Sequence, residues 1–145
     1  MAYRGKYRVK NTAKYKGDPT KVVYRSGLEL KTMNYLDAHP DVLEWSSEEV
    51  IVPYRCKTDN KMHRYFVDFY YKAKLKDGTT KTYLVEVKPY LQTLEPVKKT
   101  RKTRRYLNEV LTWAKNQSKW EAAEEYCADR GWSFIKLTEK EINSL

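Results

Sequence analysis

Tyr65-Phe66-Val67-Asp68-Phe69-Tyr70-Tyr71 and, one turn later, Thr82-Tyr83-Leu84-Val85-Glu86-Val87-Lys88-Pro89 decide the reading of this chain. Both runs are aromatic and β-branched, a composition that fits a pleated surface. Between them, Lys76-Asp77-Gly78-Thr79 carries the Asp-Gly step of a hairpin turn. Alternation along a strand puts Val67 and Phe69 on one face of the first run, and Val85 and Val87 on one face of the second. Asp68, Glu86 and Lys88 then point the other way. The Cα atoms of Glu86 and Lys88 are about 6.6 Å apart along one face. Pairing the two strands therefore gathers two carboxylates and an ammonium on one side of a small sheet.

Such a set suits a metal-assisted attack on phosphate. Mg²⁺ takes oxygen ligands and keeps several waters, so one or two carboxylates are enough to hold it. A neighbouring lysine can position the attacking water. An Asp and a Glu-x-Lys are also common on solvated strand faces. Here, however, the charges alternate strictly with apolar residues, Pro89 closes the strand directly after the lysine, and the chain is strongly basic.

The 145 residues fit one domain with a substantial core. A formal charge of +10 points to a polyanion, with nucleic acid favoured over membrane. No apolar run reaches spanning length and no signal-peptide pattern opens the chain, so the protein is expected to stay where it is made, without membrane contact. Residues 1–25 hold eight basic residues and one acid, and residues 98–105 hold six basic residues and no acid. Between them they exceed the whole net charge, so the remainder is slightly acidic. Cys56 and Cys127 form no CxxC, and His39 and His63 have no zinc-ligand spacing. Neither a disulfide framework nor a zinc site is expected.

Residues 1–20 read as a basic N-terminal arm, loosely ordered when free, with tyrosines interleaved among Lys and Arg for phosphate contact and base stacking. Residues 21–145 read as the folded domain. Ser26-Gly27-Leu28-Glu29 has the form of a capping box and predicts a helix over 27–38, stopped by Pro40. On this reading alone Glu29 simply caps its own helix. Strands are expected at 49–54, 63–73 and 80–88 as an antiparallel meander. A helix is expected over 98–116, with Leu107, Val110, Leu111 and Ala114 on its inner face. Ser118-Lys119-Trp120-Glu121 predicts a second helix to about Asp129, ended by Gly131 at C′. A last strand at 132–137 joins the meander as a parallel neighbour, and a short helix closes the chain. Trp113, Trp120 and Trp132 read as core. The fold class is thus α/β: a small mixed sheet, a three-strand meander plus a later strand, flanked by helices.

A helix Glu, a strand Asp and a Glu-x-Lys on the next strand resemble the PD-(D/E)xK nuclease superfamily, here as Glu29, Val67-Asp68 and Glu86-Val87-Lys88. Val67 stands where that pattern often has proline; valine pairs well in a strand and leaves the carboxylate in place. Tyr24-Arg25-Ser26-Gly27-Leu28-Glu29, Val42-Leu43-Glu44-Trp45, Val52-Pro53-Tyr54, Val85-Glu86-Val87-Lys88-Pro89 and Asn116-Gln117-Ser118-Lys119-Trp120-Glu121-Ala122-Ala123 are similar to the head-completion nucleases of T-even-type tailed phages. TnsA-type transposon-end nucleases share the Glu-Val-Lys-Pro and Lys-Trp features more loosely.

The resemblance implies a restriction-endonuclease-like core and a Mg²⁺-dependent deoxyribonuclease, with Mn²⁺ as a substitute. Asp68, Glu86 and the Val87 carbonyl would bind the ion, and Glu29 a second ion or its water. Lys88 would orient the nucleophile, making Glu29, Asp68, Glu86 and Lys88 the catalytic set. Arg4, Lys6, Arg8, Lys98, Lys99, Arg101, Lys102, Arg104 and Arg105 are the expected DNA contacts. The implied role is trimming packaged DNA before head-tail joining, in the host cytoplasm and the virion, with portal or head-tail connector proteins as candidate partners. A junction resolvase, a transposon-end nuclease and a non-catalytic DNA-binding virion protein are the alternatives.

Overall fold

The computed structural model describes residues 4–145. Four strands make the central sheet: β3 (Val42–Ser47), β6 (Phe69–Lys74), β7 (Thr80–Val87) and β8 (Ser133–Leu137), in that spatial order. The first three pair antiparallel, and β8 runs parallel to β7. Before them in the chain come β1 (Gly5–Lys6), β2 (Val23–Tyr24) and helix α1 (Gly27–Ala38). A separate hairpin, β4 (Ile51–Arg55) with β5 (Met62–Phe66), is inserted between β3 and β6. Helix α2 (Arg104–Arg130) links β7 to β8, and α3 (Glu139–Ile142) ends the chain.

Alternation along β7 sends its side chains into two cores. Val85 and Val87 face a cluster built on Trp45, Phe69, Met33, Leu36 and Ile142. Leu84 faces the opposite cluster, with Val52, Tyr65, Val67, Trp120 and Ala123. The sheet is therefore sandwiched between α1 on one side and α2 with the hairpin on the other.

The mixed α/β class stands, as do the bounds of α1, its Ser26 cap and the Asp77-Gly78 turn. The Ser26 hydroxyl accepts the Glu29 N–H at 3.1 Å. Gly78 takes a positive φ of 87° between Leu75 and Thr79, which are joined by a 2.8 Å backbone hydrogen bond. Gly131 closes α2 in the left-handed conformation at φ 70°, as expected at C′.

Other expectations are corrected. The strand over 63–73 is two strands, broken at Val67-Asp68. Val67 enters the α2-side core and Phe69 the α1-side core, so they do not share a face. The break lets β5 leave with its hairpin partner while β6 takes β3, not β4, as its neighbour. The two helices over 98–116 and 118–129 are one helix beginning at Arg104, capped by the Thr103 hydroxyl, which accepts the Tyr106 N–H at 3.1 Å. Ser118 does not start a helix; its hydroxyl donates back to the Ala114 carbonyl at 3.2 Å and accepts the Lys57 N–H of the hairpin at 3.1 Å. Leu107, Val110 and Leu111 are exposed and do not form the inner face of the helix.

The loosely ordered arm does not hold from Gly5 onward; its first residues, 1–3, lie outside the described residues. Tyr7, Val9 and Tyr15 are buried in the Trp45 cluster, and β1 pairs with β2. Buried Asp37, near the end of α1, accepts the backbone N–H groups of Lys10 at 2.8 Å and Asn11 at 3.2 Å, and the Trp45 indole N–H at 3.4 Å. Apolar residues at 7, 9 and 15 alternate with the charges, so one face of the segment could be buried while Lys and Arg remain in water.

Candidate active site

The break at Val67-Asp68 positions the central carboxylate. Phe69 opposite Val85 is the last registered pair of β6 with β7. Just beyond it, Asp68 Oδ2 accepts the Val87 N–H at 2.8 Å, a side chain taking a donor where the strand ladder has stopped. The Asp68 carbonyl accepts the Glu48 N–H at 3.1 Å, which ties the break to the end of β3. Beyond Val87 the parallel ladder continues from the Lys88 N–H to the Leu137 carbonyl, 3.0 Å, and Pro89 then ends it.

Glu86 is buried and held on both oxygens. Its Oε1 lies 3.5 Å from Lys88 Nζ, and its Oε2 accepts a hydrogen bond from the Tyr65 hydroxyl. Burial, and then the Glu86 charge, push the Tyr65 phenol far above its ordinary range, so it stays a donor. Burial and then Glu86 also raise Asp68 well above the usual carboxylate range, against the lowering pull of the Val87 N–H; Glu29 adds to the rise. Glu29 sits in the first turn of α1, where its Oε1 accepts the Arg25 N–H at 3.3 Å. Burial raises it first, and Glu48 and Glu86 raise it further.

Asp68, Glu86, Val87 and Lys88 are thus brought together, with Glu29 within electrostatic reach. Among the described residues Glu29, Asp68 and Glu86 do not close as a trio to within 4.8 Å. Capping leaves the Glu29 carboxylate available: its N–H uses the Ser26 cap, while its carboxylate senses Glu48 and Glu86. The nine expected DNA-contact residues are exposed and lie outside this cluster. Lys98, Lys99, Arg101 and Lys102 are in the irregular segment before α2, and of the nine only Arg105 is ion-paired among the described residues, to Glu109 at 3.4 Å.

Four residues of the cluster escaped the sequence reading. Tyr65 reads as one aromatic among many in a strand. Lys119 reads as part of a capping box, yet in the middle of α2 it is half-buried with Nζ over the Tyr65 ring, 5.5 Å from its centroid. Burial lowers its pKa, and Glu86 and Asp68 pull it back up. Glu48 holds a positive φ of 56°, and Arg25 binds it at 2.6 Å while also sensing Glu29 and Asp68. A non-glycine residue in that region marks a conformation imposed by its surroundings.

Four carboxylates and three cations thus influence one another here, and Asp68 is destabilised as an anion. The donor set is all oxygen, the chemistry that Mg²⁺ or Mn²⁺ takes. A divalent cation fits because it would relieve the repulsion that holds Asp68 high.

A model of the TnsA-like endonuclease N-terminal family matches residues 39–139, a span that includes Asp68, Glu86, Lys88 and Lys119 but begins after Glu29. The head completion nuclease of Enterobacteria phage T4 is 39% identical over 149 residues, covering 100% of this chain and 97% of that protein.

Proposed function

Because this chain belongs to the TnsA-like endonuclease family, we propose that it hydrolyses DNA phosphodiester bonds in phage head completion, trimming packaged DNA before head and tail join. The observation that carries the chemistry is the convergence of Asp68, Glu86 and Lys88 at the strand break, with Asp68 forced high by burial and by Glu86.

Asp68, Glu86 and the Val87 carbonyl would hold Mg²⁺ or Mn²⁺, with Glu29 placed for a second ion or its water. When bound, the ion polarises a phosphoryl oxygen and makes water a better nucleophile. Lys88 orients the attacking water and offsets charge that develops on the phosphoryl group. Tyr65 fixes one rotamer of Glu86, and Lys119 offers a second ammonium at the same carboxylates for a DNA phosphate.

A groove lined by Leu91, Gln92, Arg104, Asn108, Trp113 and Asn116 opens between the segment after Lys88 and the first half of α2. Arg104 and Arg105 line it, and with Lys98, Lys99, Arg101 and Lys102 of the segment before α2 they would grip backbone phosphates without reading sequence, as would Arg4, Lys6 and Arg8 of the N-terminal segment. The role places the protein in the host cytoplasm and the virion, with a portal or head-tail connector protein as its partner class.

The test is nicking of supercoiled plasmid by the purified protein. Mg²⁺ or Mn²⁺ should support cutting, a chelator should stop it, and Glu86→Gln should be inactive while binding DNA. Binding without metal-dependent cutting by wild type would leave a DNA-binding virion protein instead.

A further inference from the structure

The tightest grouping of metal-ligating side chains among the described residues is not at the strand break. At the tip of the β4–β5 hairpin, one donor atom each from Cys56, Asp59 and His63 lie within 4.8 Å of one another. We propose that these three residues bind one zinc-class divalent cation, separate from the oxygen site that serves DNA cleavage.

The donor set is a sulfur, a carboxylate oxygen and an imidazole nitrogen. It suits tetrahedral Zn²⁺ with a fourth position for water and disfavours Mg²⁺, which avoids sulfur. Each donor is already oriented. Cys56 Sγ is 3.0 Å from the Thr58 hydroxyl, and the backbone N–H groups of Thr58 and Asp59 also act on it. Asp59 presents Oδ2 to His63 Nε2 at 2.7 Å, while its Oδ1 accepts the Lys61 N–H at 3.0 Å. The His63 ring stacks on Tyr54, centroids 5.6 Å apart and planes 28° apart. Such outer contacts fix a ligand's rotamer before the ion arrives.

The turn holding them is closed by backbone bonds from Cys56 to Lys61, 2.9 Å, and from Asn60 to Cys56, 2.7 Å, with Asn60 at a positive φ of 56°. Asp59 is exposed and His63 half-buried, which gives the ion a path from solvent. The spacing is neither a CxxC nor a pair of histidines; a carboxylate, Asp59, stands where a second cysteine would be. An ion at this tip would clamp both ends of the hairpin. His63 lies two residues before Tyr65 on β5, so the clamp would also steady the strand that carries the Glu86 partner.

The experiment is titration of metal-free, full-length protein with Co²⁺ and then Zn²⁺, followed by absorption. One equivalent of Co²⁺ should produce a thiolate-to-cobalt charge-transfer band that one equivalent of Zn²⁺ removes and excess Mg²⁺ leaves in place. Cys127→Ser should keep the band and Cys56→Ser should lose it. His63→Gln, at a half-buried ring, should weaken cobalt binding by at least about tenfold to a hundredfold, the range seen even for outer contacts. Absence of the band in wild type, or its survival in Cys56→Ser, overturns the proposal. Should Cys56→Ser fail to fold, unchanged cobalt affinity in His63→Gln overturns it equally. Plasmid nicking is scored separately, so failure here leaves the cleavage reading intact.

Discussion

Asp37 and Asp68 are both recessed aspartates on the two sides of one fold, and their surroundings could hardly differ more. Asp37 faces three N–H donors, from Lys10, Asn11 and Trp45, and its backbone carbonyl accepts a fourth from the Asn11 side chain at 2.6 Å. Asp68 accepts one backbone N–H and faces Glu86 and Glu29. The first is a carboxylate used as a knot, which ties the N-terminal segment to α1. The second is a carboxylate whose burial and acidic neighbours outweigh the pull of the Val87 N–H and Lys88, which the fold tolerates because a ligand can supply more positive charge. Burial alone does not separate structural from functional acids; the balance of donors against like charges does.

The same substitution at both positions tests that contrast. Asp68→Asn should cut metal-dependent cleavage by at least about 10²–10³-fold, the scale of losing one preorganised charge at a reacting centre. Its melting temperature in chelator should equal or exceed that of wild type, because a repelling charge has gone. If it melts far below wild type while its folded fraction still cuts DNA, Asp68 is structural and the contrast fails.

Asp37→Asn should do the reverse. The amide keeps one acceptor oxygen but turns its own N–H₂ toward donors, so stability should fall by roughly 2–4 kcal/mol. Cleavage per folded molecule should be unchanged. Chemical denaturation beside a nicking assay reads both, and a stable Asp37→Asn would show the knot to be dispensable.

The pH response follows from the raised carboxylates. A group with a higher pKa when folded binds its proton more tightly in the native state, so stability falls as pH rises from the unfolded value through the folded one. Asp68 and Glu29 are both raised. Metal-free wild type should therefore lose melting temperature as pH climbs from about 4. Asp68→Asn should show a shallower decline, Asp37→Asn the full decline, and Mg²⁺ should flatten the wild-type curve. A metal-free decline, or slope of any sign, that is identical in wild type and Asp68→Asn would remove the repulsion argument.

The smallest effect concerns the basic segment before α2. Replacing Lys98, Lys99, Arg101 and Lys102 with neutral residues should weaken DNA binding alike on all sequences. It should lower the slope of log K against log salt by about 0.9 for every phosphate that is no longer neutralised on duplex DNA. An unchanged slope would mean that this segment faces away from DNA. Stability should barely move, since these side chains are exposed. With no buried carboxylate to tie, nothing in this segment is used as a knot.

What the residues alone determined is what depends on near neighbours. The Ser26 cap and its helix, the Asp77-Gly78 turn, the alternation that puts Glu86 and Lys88 on one face of β7, and the Gly131 stop each involve contacts within about four residues, where local sterics and hydrogen bonding decide. Glu29, Asp68 and Glu86 were legible for a different reason, because their order resembles a known nuclease pattern; Glu48 was not. Tertiary structure decided the rest. The break at Val67-Asp68 exists because one chain had to supply Val67 to one core and Phe69 to the other, a demand invisible to a strand read alone. Ser118 can cap a helix in isolation, but packing against the hairpin keeps the helix running and turns Lys119 toward Glu86. Tyr7 and Tyr15 looked like stacking groups on a tail until Trp45 and Asp37, far away in the chain, offered that segment a core and a knot. Contacts at that separation depend on which surfaces meet, and only the folded chain holds that information.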